Sequence, residues 1–167
     1  MAMKAVVGDR TTMGGDAIVN AANAALAGGG GVDGAIQSAA GPTVLEECQA
    51  IIADQGPCRT GRAVVTSAGA LSATWIIHVV GPIWTQHDPV ENSILLANCY
   101  SSSLDVAAEV GATSVAFSAI STGVYGFPRE LAAPIAVSTV SNWLSQNQGK
   151  TSVDPGTVYS FDHENPR

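Results

Sequence analysis

Two amides, a run of glycines and a carboxylate lie close together in the chain, between Asn20 and Gly34. The side chains that could do chemistry there are the amides of Asn20 and Asn23 and the carboxylate of Asp33. Glycines lack a Cβ atom, so their backbone can approach a ligand closely and several N–H groups can converge on phosphate oxygens. The helix that is predicted to follow adds the positive end of its dipole. The segment therefore predicts an anion-binding loop with reactive side chains.

Two simpler interpretations of the same segment stay open at this point. Four consecutive glycines also suit a surface loop without a ligand, in which Asp33 acts only as the N-cap of the helix. Gly29, Gly31 and Gly34 match the dinucleotide-binding pattern G-x-G-x-x-G. That pattern needs its first glycine in the tight turn directly after a strand, whereas the strand here is expected to end near Val19. The spacing therefore disfavours an ordinary dinucleotide-binding turn.

A second glycine-containing loop, Ser121-Thr-Gly-Val-Tyr-Gly126, follows another apolar strand. Ligands of open α/β sheets bind at the carboxyl ends of the strands, so the two loops can lie side by side at that edge. Together they predict a clamp for a diphosphate. The alternative for the second loop is an ordinary turn between a strand and a helix.

Strands and helices alternate along the chain in the pattern of an α/β protein. Apolar runs predict strands at residues 4–7, 16–19, 63–66, 75–80, 114–120 and 157–161. Helical spacing predicts helices from residue 34 to about 55 with a break at Gly41-Pro42, from 92 to 109, and after Pro128. Pro134 should kink the last helix or delay its start. The alternation predicts a three-layer α/β/α domain with a mixed, largely parallel central sheet.

The composition limits the class of protein and its partners. The chain has 167 residues, of which 46% are hydrophobic and 13% charged, which suits one compact domain and excludes a disordered chain. A net charge of -7 disfavours nucleic acid as a partner. No apolar run is long enough to span a membrane and no signal-peptide core is seen, so a cytoplasmic protein is expected. Cys48, Cys58 and Cys99 fit reduced structural thiols, and no metal site is predicted.

The motifs resemble those of a macrodomain, and more narrowly the MacroD type that includes bacterial O-acetyl-ADP-ribose deacetylases. The resemblance runs from about Lys4 to Asn165, and is strongest in Gly8-Asp9, Asn20-Ala-Ala-Asn23, the segment from Gly28 to Gly34, and the loop from Ser121 to Gly126. It implies a single macrodomain over residues 1–167 that lacks the usual C-terminal helix. It also implies ADP-ribose and O-acetyl-ADP-ribose as ligands, mono-ADP-ribosylated proteins as further partners, and no cofactor.

The resemblance also implies a role for each residue of an ADP-ribose pocket. Asp9 would accept a hydrogen bond from the adenine amine beside the backbone of Arg10, and Phe161 would contact the adenine ring. Asn20 would be a structural amide that ties the loop, with direct contact to the ligand as the alternative. The distal ribose and the diphosphate would be bound by Gly30, Gly31, Val32, Ser121, Thr122, Gly123, Val124, Tyr125 and Gly126, with Tyr125 near the ribose.

For catalysis, the resemblance implies that Asn23 orients the distal ribose and that Asp33 positions and polarises a water molecule. The expected reaction is the hydrolysis of an acyl ester or of an ADP-ribosyl linkage on an acidic side chain. A different class of function is a reader module that binds ADP-ribose without cleaving it. A third class, a protein that binds nucleic acid or poly(ADP-ribose), would need a basic surface that the composition does not favour.

Overall fold

The computed structural model describes residues 4–6, 16–27, 31–123 and 125–161, with the backbone alone at 4–6, 31–33 and 159–161. Its elements are six strands, four α-helices and two short 3-10 turns, at Trp84–Gln86 and Pro155–Thr157. The strands are β1 Lys4–Val6, β2 Ala17–Ala22, β3 Ala63–Ser67, β4 Trp75–Val80, β5 Val115–Phe117 and β6 Val158–Phe161. The helices are α1 Gly31–Ala40, α2 Pro42–Gln55, α3 Pro89–Glu109 and α4 Arg129–Gln146.

The six strands form one sheet in the order β1-β6-β5-β2-β4-β3. Every neighbouring pair is parallel except β3 with β4, which is antiparallel. The carboxyl ends of β1, β6, β5, β2 and β4 therefore meet at one edge of the sheet. The predicted mixed, largely parallel sheet is confirmed.

Helices cover both faces of this sheet and make the domain three layers deep. Alternate residues of β2 point to opposite faces, so Ala17 and Val19 pack in the core beneath α3 and α4. Ile18 and Ala22 pack in the second core, beneath α1 and α2. Because β2 and β4 are buried on both faces, their sequences are continuous apolar runs rather than alternating ones.

Two strand boundaries differ from the sequence prediction. Strand β2 continues to Ala22 instead of ending near Val19, because its last residues pair with β4 and Asn20 lies opposite His78. Strand β5 ends at Phe117 instead of continuing to Ile120. The next residue, Ser118, donates both its backbone N–H and its hydroxyl to the carbonyl of Val19, at 3.1 and 2.6 Å. Contacts between distant segments therefore decide both boundaries.

Helix boundaries also differ from the sequence prediction. The predicted break at Gly41-Pro42 is confirmed as two separate helices, but α1 begins at Gly31 rather than at Gly34. Helix α4 begins at Arg129 with Pro134 inside it, so the predicted delay of its start is wrong. Pro134 is the sixth residue of α4 and has no backbone N–H. The helix therefore loses only the backbone hydrogen bond that this position would donate to the carbonyl of the second residue of α4. Helix α3 also begins earlier than predicted, at Pro89, after the N-cap Asp88.

The turn between β3 and β4 gives a test of this packing. Gly69 has φ +55°, and a Cβ atom there would lie 2.2 Å from the carbonyl oxygen of Ala40 at the end of α1. Gly149, with φ +76°, has open space around the same position. Gly69→Ala should therefore lower the free energy of unfolding by about 2 to 4 kcal/mol. Gly149→Ala should cost only the left-handed strain, about 1 kcal/mol. Denaturant unfolding of both variants checks this, and equal losses would contradict the packing.

Candidate active site

The crevice between β2 and β5 is the candidate active site. These strands are parallel neighbours, with Val19 opposite Phe117. After β2 the chain enters α1 on one face of the sheet, whereas after β5 it enters α4 on the other face. The two connecting loops therefore diverge and leave a crevice at the carboxyl edge, the position at which open α/β sheets bind ligands.

The first wall of the crevice begins at Asn23, directly after β2. Its carbonyl accepts a hydrogen bond from the N–H of Leu26 at 3.0 Å, and its side-chain Oδ1 lies 3.4 Å from the N–H of Ala27. Leu26 has φ +51° and is buried in the core under α1. The buried leucine anchors this turn, and the side chain of Asn23 is partly exposed directly after β2.

Asp33 is the third residue of α1, so the interpretation of this residue as the N-cap is wrong. Gly31 and Val32 are the two residues before it in the same turn. The first N–H groups of a helix have no partner within the helix, and the dipole favours negative charge at this end. The first turn of α1 can therefore offer donors to an anion. Gly30 lies outside the described residues.

The second wall is the loop from Ser121 to Phe127, which is folded back on itself. Ser121 has φ +66° and accepts a hydrogen bond from the N–H of Phe127 at 2.9 Å. Gly126, at φ +76°, donates to Gly123 at 3.0 Å. Thr122 is partly exposed and Gly123 is exposed to solvent. Val124 lies outside the described residues.

A third segment, which the sequence analysis did not connect with the site, supports this loop. The N–H of Trp84 donates to the carbonyl of Tyr125 at 2.8 Å, and its ring packs edge-on against Phe127 with centroids 4.9 Å apart. The buried side chain of Asn92 in α3 donates to the carbonyls of Trp84 at 2.9 Å and His87 at 3.1 Å. Trp84 therefore positions the backbone at Tyr125 as well as packing against Phe127.

Gly81, at the end of β4, is a further residue that the sequence analysis did not assign to the site. A Cβ atom there would lie 2.1 Å from the hydroxyl of Ser121 and 2.7 Å from Ile120 Cγ2. That hydroxyl is buried and has no hydrogen-bond partner among the described residues. The close approach of strand to loop explains the glycine. The Gly81-Pro82 pair was the available signal, but it indicated only the end of a strand.

The far end of the same edge is formed by the ends of β1 and β6. Strands β1 and β6 are neighbours and pair Val6 with Phe161, the last residue of each strand. Asp9 and Arg10 follow β1 in the chain but lie outside the described residues. The candidate residues thus follow strands that lie in the spatial order β1, β6, β5 and β2.

Comparison with known proteins identifies the family. The Macro domain profile matches residues 19–136. The chain belongs to the macro domain family. A macro domain-containing protein of Listeria monocytogenes is 52% identical over 165 residues, which cover 99% of this chain and 93% of the relative. A protein of Escherichia fergusonii named O-acetyl-ADP-ribose deacetylase is 51% identical over 162 residues, which cover 96% of this chain and 88% of the relative.

Solved macrodomain structures have the same fold. The Oceanobacillus iheyensis macrodomain with ADP gives a TM-score of 0.84 at 41% identity, over 95% of this chain and 83% of that one. The Trypanosoma brucei macrodomain in complex with ADP-ribose gives 0.79 at 37% identity, over 94% of this chain and 61% of that one. The predicted macrodomain fold is thereby confirmed. Across the described part of the chain, no helix is both long and apolar enough to cross a membrane.

A buried polar network lies beneath α1 and α2 in this macro domain. Asn20 Nδ2 lies 3.3 Å from His78 Nδ1 across the β2–β4 pair, and His78 Nε2 lies 2.9 Å from Thr66 Oγ1. The Thr66 hydroxyl donates to Ser67 O, so it accepts from Nε2, and Nδ1 accepts from the amide. Cys48 Sγ lies 3.7 Å from Nε2. The amide of Asn20 therefore joins the strands β2 and β4.

Titratable groups in the core of the macro domain stay neutral. Burial lowers the pKa of His78 to about 4, although the charge of Glu47 acts in the opposite direction. Burial also raises the pKa of Cys99 to about 12 and that of Cys58 above its ordinary value. All three cysteines are buried and none of them forms a disulfide, and the raised pKa values of Cys58 and Cys99 disfavour a thiolate nucleophile at either residue. The described residues contain no cluster of side chains suited to a metal ion.

The low pKa of His78 gives a prediction about stability and pH. Below about pH 6.5 the unfolded chain protonates this histidine, whereas the folded protein keeps it neutral down to about pH 4. The free energy of unfolding should therefore fall as the pH drops through this window, by about 3 kcal/mol in total. Denaturant unfolding between pH 7 and pH 4 should show a shallower fall for His78→Gln. His87→Gln, at a partly exposed site, is the control, and parallel curves for all three proteins would contradict this account.

Proposed function

We propose that this macro domain is a MacroD-type hydrolase that deacetylates O-acetyl-ADP-ribose and removes mono-ADP-ribose from acidic side chains. The observation that carries the proposal is that Asn23 and Asp33 follow β2 in the chain. Strand β2 is the parallel neighbour of β5, which leads into the loop from Ser121 to Phe127. Relatives about half identical over most of the chain are named O-acetyl-ADP-ribose deacetylase, which supports this reaction.

The ligand would lie along the carboxyl edge of the sheet. Its adenine would bind beside the ends of β1 and β6, near Asp9, the backbone of Arg10 and Phe161. The diphosphate would accept hydrogen bonds from the loop at Ser121–Gly126, and from N–H groups at the start of α1. Related macrodomain structures contain ADP and ADP-ribose, which supports a site of this kind. The distal ribose would then lie near Asn23, at the end of β2.

The proposed chemistry is the attack of water on an ester. Asp33 accepts a proton from water while the water oxygen attacks the acyl carbon, and Asn23 holds the distal ribose in place. Backbone N–H groups stabilise the oxyanion that develops. The bond between the acyl carbon and the ribose oxygen then breaks, and the proton passes to that oxygen. Acetate and ADP-ribose are the products of O-acetyl-ADP-ribose, and an ADP-ribosylated carboxylate is cleaved in the same way. The scheme uses no metal and no cofactor.

The proposal is tested by incubating the purified chain with O-acetyl-ADP-ribose and using chromatography to measure the ADP-ribose that is released. Asp33→Ala should reduce kcat by about 100-fold or more, because the general base is removed. Asp54→Ala is the control, since it removes an exposed carboxylate from the end of α2. Calorimetric titration with ADP-ribose should show that binding is retained. Undiminished turnover by folded Asp33→Ala would exclude the proposed base, whereas binding without turnover by the parent chain would favour a reader module.

Gly81→Ala tests whether the packed second loop is part of the ligand site. The added methyl would displace Ser121 and Ile120, so the affinity for ADP-ribose should fall by about tenfold or more, which is roughly 1.4 kcal/mol. Gly156→Ala is the control, because a Cβ atom at Gly156 meets its nearest neighbour at 3.6 Å. Calorimetry measures the affinity and thermal unfolding confirms the fold. Unchanged affinity in a folded Gly81→Ala protein would be evidence against the role of this loop.

A further inference from the structure

Two exposed arginines lie on one short turn beside the candidate active site. We call residues Cys58 to Arg62, between α2 and β3, the arginine turn; it carries Arg59 and Arg62, both exposed to solvent. The whole chain has only seven Lys and Arg residues against fourteen Asp and Glu. Neither guanidinium takes part in a salt bridge within the described residues, where the one such contact joins His87 and Glu91. Their charge is therefore available to a partner.

The arginine turn is held firmly against the first wall of the crevice. The N–H of Cys58 donates to the carbonyl of Ala24 at 2.9 Å, and Ala24 directly follows Asn23. The N–H of Gly61 donates to the carbonyl of Val80, the last residue of β4, at 2.8 Å. The Ser102 hydroxyl of α3 donates to the carbonyl of Gly61 at 2.9 Å. Contacts with three elements thus fix the backbone that presents the two cations.

The order of the strands indicates what this turn would face. A ligand that extends from the β1–β6 end to β2 has its distal ribose at β2, so a group attached to that ribose continues beyond β2. The next strands in the sheet are β4 and β3. The arginine turn lies there, because β3 begins with Ala63 opposite Val79, near the carboxyl end of β4. The turn is therefore on the side at which the acyl group attached to the distal ribose extends from the crevice.

The charge of the molecule indicates the chemistry of the group that carries this acyl carbon. A protein with a net charge of -7 repels an acidic chain over most of its surface. Two guanidinium groups beside the site attract carboxylates locally, and Arg forms bidentate hydrogen bonds with them. Acetate is too short to extend away from the ribose, whereas a polypeptide that carries ADP-ribose must extend from the crevice. The turn therefore suits a protein substrate and has no role for the small ester.

We propose that the arginine turn docks acidic residues that flank an ADP-ribosylated carboxylate in a protein substrate. This inference rests on the proposed function, and it defines a sequence preference that the catalytic residues alone do not set. Carboxylates one or a few positions from the modified residue bind Arg59 and Arg62. Binding there raises the encounter rate and lowers KM for acidic segments.

The experiment uses two peptides that carry ADP-ribose on one glutamate, flanked by Asp and Glu in one peptide and by Ser and Gln in the other. The double variant Arg59→Gln/Arg62→Gln should lose about five- to tenfold in kcat/KM on the acidic peptide, because two exposed ion pairs are removed. The effect should lie in KM, and it should shrink as salt screens the charges. Turnover of the neutral peptide and of O-acetyl-ADP-ribose should not change.

Lys150→Gln provides the matched control, because it removes an exposed cation after α4, at the opposite end of that helix from the site. A similar loss of kcat/KM on the acidic peptide in this control would assign the effect to the electrostatic field of the whole protein, and it would overturn the docking site. Equal losses on both peptides, or no loss on the acidic one, would also overturn it. A short single-stranded RNA is tested as a competitor of the acidic peptide. If the RNA competes with the peptide, and the double variant abolishes that competition, the turn binds nucleic acid and the proposal is overturned.

The same assays separate this inference from the proposed function. Failure of the parent chain to release ADP-ribose from O-acetyl-ADP-ribose would overturn the proposed function itself. Turnover of O-acetyl-ADP-ribose without turnover of either peptide would overturn the protein substrate and with it the docking role. Turnover of both peptides at equal rates by the parent chain would leave the hydrolase intact and overturn the acidic preference alone.

Discussion

The pairing of β2 with parallel strands on both sides is the constraint on which the rest of the structure depends. All six residues of β2 pair with β4, and the first three residues of β2 also pair with β5. Because side chains alternate between the faces, a shift of one residue would move Asn20 away from His78 and turn Ile18 out of its core. Asn23 follows three residues after Asn20. The register that buries the polar network therefore also sets the position of the candidate catalytic amide.

The walls of the crevice are rigid for reasons that lie outside the crevice. Leu26 anchors the turn after Asn23 in one core, and Phe127 anchors the second loop in the other. Trp84 holds the carbonyl of Tyr125, while Gly81 allows β4 to approach Ser121 closely. Backbone donors that are already in place need little rearrangement when charge develops on a ligand, which is a general source of catalytic power.

The order of strands and helices could be predicted from the sequence because it depends on local periodicity. The boundaries that were wrong depend on distant partners. Asn20 favours a turn by its own preferences, and only its pairing with His78, 58 residues away, keeps it in β2. The contact of Gly81 with Ser121 joins segments that periodicity cannot connect. Helix α1 begins before Asp33, so this carboxylate lies in the first turn of the helix and not at the N-cap position of the alternative interpretation.

Hydrogen bonds act at short range in this macro domain, whereas the charge of the whole protein acts on ligands at long range. In the proposed site, neutral backbone N–H groups and a helix end would recognise phosphates by geometry, and such recognition does not need a protein of positive net charge. That same negative charge opposes the approach of long polyanions. A local pair of guanidiniums on the rim can then attract a short acidic segment without making the whole surface basic. The acidic composition thus fits a small phosphate ligand in the crevice together with a charged partner at its outer end, because the two are recognised by forces of different range.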